Sequence, residues 1–308
     1  MCAGVYPGGR TMFRTVARTL MLMALAAAPP SGLAWTQQAS MPPPAVPGSY
    51  ARVNGTELHY EVRGNGQPLV MLHGGVDPSE MFGAPLVEMA KHFKVIAIDA
   101  RGHGFSKDTN APWSCEQAAD DVAAVLTQLK IDKASVMGYS FGGAIALQFA
   151  IRHPDRLDKL VIVSAAYASK GQYPEVRTAF EQMPAMADSI GGEIAKSPLG
   201  KKYPGVDWPT MMRKTGELNR QDFDWSTGVR GIKARTLLVF ADADFIRPEH
   251  IAEFYKLLGG GQRDAGFDGS LRSPNELAVI PGTTHYTLMA SPAVTQYSTA
   301  FLAHQIVL

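Results

Sequence analysis

Gly138-Tyr139-Ser140-Phe141-Gly142 governs how the rest of the chain is read. An apolar run, residues 134–137, leads into it, and a segment of helical composition, residues 143–152, leads out. A serine between glycines where a strand passes into a helix is the G-x-S-x-G nucleophile-elbow pattern. The chain reverses so sharply there that the serine backbone is strained. Side chains two residues to either side would collide, which explains the glycines. The expected result is a Ser140 hydroxyl lifted clear of a sheet, within reach of a base.

Outward from the elbow, buried apolar runs alternate with amphipathic ones. Residues 68–72, 95–98, 134–137 and 160–164 read as strands, and 81–91, 115–129 and 143–152 as helices. Strands that are continuously apolar rather than alternating belong to a sheet covered on both faces. Two short strands, 51–53 and 57–62, joined by Asn54-Gly55, predict a hairpin at one edge. The fold class is therefore α/β, a mostly parallel sheet flanked by helices.

Between residues 168 and 232 the rhythm stops, with helical segments at 174–190 and 209–219; it resumes with strands at 235–240 and 276–280. This places a helical cap (168–232) between two sheet strands of a core made of 49–167 and 233–308. The cap is expected over the C-terminal edge of the sheet, where ligands bind in such folds. Phe180, Met183, Met186, Trp208, Met211, Met212, Phe223 and Trp225 are apolar groups available to a substrate or to the cap's own core.

The chain has 308 residues, 46% of them hydrophobic, enough for one large core or two modest ones. Its 29 basic and 28 acidic residues leave no footprint for nucleic acid or anionic lipid. Arg14 and Arg18 precede the apolar stretch from Leu20 to Ala28, and small residues follow up to Ala34. That is the layout of a secretory signal peptide (1–34), cleaved to give an exported protein without stable membrane insertion. Either Met1 or Met12 serves as the start. Residues 35–48, rich in Pro, Ser and Gln, read as a linker. Of the two cysteines, Cys2 falls in the presequence, so Cys115 stands alone, without a disulfide or a thiol-enzyme partner.

A catalytic serine needs a base, a group to orient it and donors for an oxyanion. His285 follows the last strand, and Asp242 and Asp244 follow the one before. The order Ser, Asp, His suits this architecture. His73-Gly74-Gly75 follows the 68–72 strand, so backbone N–H groups there and at Phe141 are oxyanion-hole candidates. His73 and His103 read as loop-ordering residues, and His59, His92, His153, His250 and His304 as surface or helix-end residues. Asp99 and Arg101 read as an ion pair, and the glycine-rich stretch 259–270 as a solvent loop. No cluster has metal-ligand spacing, and no G-x-G-x-x-G or P-loop is present, so no cofactor or metal is expected.

Together these motifs resemble those of the α/β-hydrolases, the large capped family that includes serine esterases, lactonases, C–C bond hydrolases and cofactor-free haloperoxidases. Leu72-His73-Gly74-Gly75 is one such motif. The segment Asp99-Ala100-Arg101-Gly102-His103-Gly104-Phe105-Ser106 is similar to the family's D-x-R-G-x-G-x-S, and His153-Pro154-Asp155-Arg156 follows the elbow helix. The resemblance runs from about Tyr50 to the C-terminus, the cap excepted. It implies Ser140 as nucleophile, His285 as general base, Asp244 rather than Asp242 as the orienting acid, and Gly75 and Phe141 as oxyanion-hole donors. Ala241 departs from the glycine usual in the acid's turn. A serine nucleophile argues against haloalkane dehalogenase and epoxide hydrolase relatives. The expected activity is carboxylic ester hydrolysis on a small hydrophobic molecule. Lactonase, C–C hydrolase and perhydrolase activities use the same triad, and a non-catalytic small-molecule receptor is the reading from another class. The oligomeric state is not legible.

Overall fold

The computed structural model describes residues 48–303. The expected signal peptide (1–34), the linker up to residue 47, and His304 lie outside the described residues.

Eight strands form one sheet in the order β1-β2-β4-β3-β5-β6-β7-β8. The hairpin strands β1 (Ser49–Val53) and β2 (Thr56–Arg63) meet at Asn54-Gly55, where both residues take positive φ (47° and 77°). Both central residues of a type I′ turn require that conformation, which Asn and Gly tolerate best. Strand β2 runs antiparallel to β4 (Lys94–Ile98). From there the sheet is parallel: β3 (Pro68–Leu72), β5 (Ala134–Tyr139), β6 (Leu157–Val163), β7 (Arg235–Ala243) and β8 (Glu276–Thr284).

Helices cover both faces, so the central strands are buried on each side. On one face Val70, Ile96, Val136 and Ile162 pack against α2 (Cys115–Gln128), α3 (Phe141–Arg152) and α8 (Pro248–Leu257). On the other, Met71, Val95, Met137 and Val161 pack against α1 (Ala84–Met89) and α9 (Pro292–Leu302). The single helix expected over 81–91 is broken. A 3₁₀ turn, Ser79–Phe82, ends at Gly83 (φ 53°), and α1 restarts with Pro85 in its first turn.

Between β6 and β7 the chain forms α4 (Pro174–Lys196), α5 (Pro198–Lys202), α6 (Trp208–Asn219) and α7 (Ser226–Gly231). Met183, Ala187, Ile194, Trp208, Met211 and Met212 form a separate small core with Tyr203 and Trp113. Close approach of α4 to α6 depends on glycine. A Cβ on Gly191 would sit 2.4 Å from the Pro209 nitrogen, and one on Gly216 2.5 Å from the Pro184 ring. Although α7 falls within the 168–232 segment, its Val229 is fully buried in the sheet-side core. The inserted layer is therefore α4 to α6.

Candidate active site

The elbow geometry follows from its glycines. Ser140 has φ 54° and ψ −115° and stands at the N-terminus of α3. A Cβ at Gly138 would lie 2.0 Å from the Gly142 carbonyl oxygen, and one at Gly142 2.1 Å from the Leu72 oxygen. Real atoms do not approach so closely, so the turn exists only with glycine at both places. Among the described residues five non-glycine residues have positive φ, and three of them, Val76, Ser140 and Ser164, line one cavity. For β-branched Val76 this is a true outlier, and such strain gathers where a fold holds a site open.

The structure brings Ser140, Asp244 and His285 together. The Ser140 Oγ is 3.0 Å from His285 Nε2, and His285 Nδ1 is 3.1 Å from Asp244 Oδ1. Asp244 follows β7 directly and its side chain is 1% exposed. Asp242, the other candidate, is solvent-exposed and accepts the Gly282 and Thr283 N–H groups at 3.0 and 3.1 Å. It braces the β8 end and does not face the histidine. Phe245 stacks on the His285 ring with centroids 3.5 Å apart, and the Tyr139 hydroxyl donates to the His285 carbonyl at 2.6 Å.

A fourth residue joins this cluster. Ser164, at the end of β6, is fully buried with φ 56°. Its hydroxyl donates to Asp244 Oδ2, and its Oγ lies 2.7 Å from His285 Nδ1. Because that proton goes to the carboxylate, the Oγ accepts from Nδ1–H, which is shared between Ser164 and Asp244. The Nε2 lone pair then faces Ser140. Asp244 also accepts the Ala241 N–H on Oδ2 and the Ile246 N–H on Oδ1, each at 3.2 Å. Burial alone would raise this carboxyl, but the contacts with His285, Ser164 and Ala241 outweigh it and hold it below its ordinary value. His285 is shifted down because burial outweighs the pull of Asp244, so it is a neutral base at pH 7. Reading the sequence for a carboxylate at the end of β6 finds only Ser164. A serine after a strand carries no spacing signal of its own, and its contacts with Asp244 and His285 emerge only in three dimensions.

Gly75 and Phe141 adjoin: a Cβ on Gly75 would be 3.9 Å from the Phe141 Cβ. Among the described residues neither backbone N–H has a hydrogen-bond partner, and both residues line the cavity. Phe141 also opens α3, whose positive dipole end favours a developing anion.

The surrounding loops are ordered differently from the sequence expectation. Asp99 pairs with His59 (2.9 Å), not with Arg101, and accepts the Ser79 and Phe105 N–H groups at 2.7 and 3.1 Å. Arg101 instead forks onto Asp121. His59 and His250 are buried rather than surface residues, and His250 stacks on Tyr167 at 3.9 Å. His73 accepts the Ala100 N–H at 2.9 Å on Nε2, while its Nδ1 lies 2.7 Å from the Gly74 carbonyl, fixing the loop before Gly75. His103 packs with Trp113 and Phe141. Cys115 lines the cavity, but burial pushes its thiol far up, so it is not a thiolate nucleophile. Of the inserted apolar residues, Phe180, Met183, Met212, Phe223 and Trp225 line the cavity, whereas Trp208 and Met211 are buried in the insertion's own core.

Among the described residues no group of three or more His, Cys, Asp or Glu side chains is arranged to hold a metal, and no helix is long and apolar enough to cross a membrane.

Residues 67–190 match the family model described as alpha/beta hydrolase fold. Over 118 residues the chain is 40% identical to a 2-hydroxymuconate semialdehyde hydrolase of Pseudomonas sp. strain CF600, covering 37% of this chain and 41% of that protein. The chain spans about half the length of the curated relatives it matches. Two solved structures share the fold. An enol-lactonase from Burkholderia xenovorans LB400 has a TM-score of 0.64 at 24% identity, covering 83% of this chain and all of that one. A thermophilic esterase from Thermogutta terrifontis has a TM-score of 0.66 at 21% identity, covering 84% and 99%. With the elbow, the parallel sheet and the matched segment in agreement, the chain has the alpha/beta hydrolase fold.

Proposed function

We propose that this protein is a serine hydrolase that cleaves carboxylic ester bonds of a small hydrophobic substrate through an acyl-enzyme. The observation that carries the reading is the 3.0 Å contact of Ser140 Oγ with His285 Nε2, on a ring whose other nitrogen is held by Asp244. In that arrangement Ser140 attacks the ester carbonyl while its proton passes to His285 Nε2. Gly75 and Phe141 N–H groups stabilise the tetrahedral oxyanion. Collapse breaks the C–O bond, and the leaving alkoxide takes the proton from His285. Water then attacks the acyl-Ser140 ester, losing its proton to the same nitrogen, and the acid departs with Ser140 restored. Asp244 stays ionised throughout and stabilises the imidazolium. The helices α4 to α6 act as a cap, and Phe180, Met183 and Met212 provide its apolar inner surface.

A lactone is an internal ester, so lactonase activity uses the same steps. An assay of 4-nitrophenyl esters from acetate to decanoate, with a panel of lactones, tests the reading. Turnover that disappears in Ser140→Ala is expected. A protein that hydrolyses none of these compounds overturns the ester assignment. Export belongs to the same reading: a mature N-terminus near Trp35 supports it, and a soluble product retaining Met1 or Met12 contradicts it.

A further inference from the structure

The cavity that holds Ser140 and His285 has a volume of about 830 Å³. Among the described residues no lysine or arginine lines it, whereas five carboxylates do: Asp77, Glu116, Glu175, Asp222 and Asp224. Asp222 has Arg177 at 2.8 Å and Asp224 has Lys170 at 3.8 Å, so these two are compensated from outside the cavity. Asp77, Glu116 and Glu175 have neither an ion-pair nor a side-chain hydrogen-bond partner among the described residues.

Asp77 is the one beside the chemistry. It lies two residues after Gly75, on the same loop. A Cβ placed on Gly74 would meet the Tyr139 ring at 3.0 Å and Asp77 Oδ2 at 3.6 Å. The carboxyl therefore shares the Gly74 surface with the residue that precedes Ser140. Burial raises its pKa to about 6, so it is still ionised at pH 7.

We infer that this site takes neutral or cationic esters and rejects esters that carry a carboxylate. The inference rests on the hydrolase reading above and specifies its substrate class. A carboxylate entering the cavity loses its water, meets no cation and faces Asp77 across a low-dielectric space. A cationic group, by contrast, meets the Asp77 carboxylate, which has no ion-pair partner among the described residues. Acidic ring-cleavage products would then be poor substrates, although the same triad could attack them.

Three 4-nitrophenyl esters of matched length test this: pentanoate (neutral), hydrogen glutarate (anionic) and 4-(trimethylammonio)butyrate (cationic). The glutarate should fall at least about tenfold below the pentanoate in kcat/KM, with the cationic ester equal to the pentanoate or better. Asp77→Asn should raise the glutarate-to-pentanoate ratio by about tenfold. Calorimetric titration of Ser140→Ala with the corresponding three amides reads the same order without catalysis. An anion that binds or reacts as well as its neutral counterpart, or a ratio unmoved by Asp77→Asn, overturns the inference. Binding of none of the amides overturns it as well, because the cavity is then not the substrate site. If no ester turns over but the amides bind in the predicted order, the charge selectivity stands and the ester reading alone fails.

Discussion

At the scale of single residues, Ser164 is the feature that separates this site from a bare Ser-His-Asp arrangement. Its hydroxyl holds Asp244 and accepts from His285 Nδ1, so it positions both. Ser164→Ala should lower kcat for a neutral ester by about tenfold with little change in KM. Ser164→Gly relieves the positive φ and should lose the same activity without a fall in Tm. Loss of activity only in step with Tm would assign Ser164 a purely structural part. The two aspartates make a second contrast: Asp244→Asn should cost on the order of 10⁴-fold in kcat, while Asp242→Asn should change it by no more than about twofold. The pH profile follows from His285. Its pKa is shifted below 6.5 and the base must be neutral, so kcat/KM for a neutral ester should rise with pH through a midpoint below 6.5 and level off above pH 7. A midpoint above 7 contradicts a buried neutral base. Ser140, Asp244 and His285 are legible in the sequence because each sits at a strand end, where motif and order constrain it. Ser164 and Asp77 carry no such pattern, because what distinguishes them is burial and the presence or absence of partners.

At the scale of elements, the parallel strands are legible from their apolar runs, whereas their order in the sheet, with β4 placed between β2 and β3, emerges only in three dimensions. Composition hides two kinds of feature. The break at Gly83 depends on one glycine in a positive-φ conformation followed by Pro85, inside a stretch whose hydrophobic spacing suits a helix. Helix α7 is short, and its place in the core is decided by Val229 packing rather than by periodicity. The pairing of α4 with α6 suggests a test of the cap reading. Gly191→Val would drive a side chain into the Pro209 backbone and splay the two helices. The expected outcome is a higher KM and a flatter dependence on acyl length, with fluorophosphonate labelling of Ser140 retained. Unchanged acyl-length selectivity would separate these helices from substrate recognition.

At the scale of the whole molecule, stability comes from packing: Cys115 is the only cysteine among the described residues, and it is free and buried. Buried neutral histidines make that stability depend on pH. Burial lowers His103 to about 3 and His250 to about 4, both from 6.5. A depressed folded-state pKa gives stability that is complete above the unfolded value and is lost as pH falls towards the folded one. The urea midpoint should therefore decline from pH 6.5 to pH 4, with a loss on the order of 3 kcal/mol by pH 5. A midpoint constant across that range contradicts the burial of these two rings. The central claim is that this fold presents Ser140 as a nucleophile, and covalent labelling tests it most directly. Treated with a fluorophosphonate and digested, the protein should carry one phosphonyl group, on the peptide containing Ser140, with ester turnover lost in proportion. A label on another residue, or labelling that survives Ser140→Ala, would contradict it.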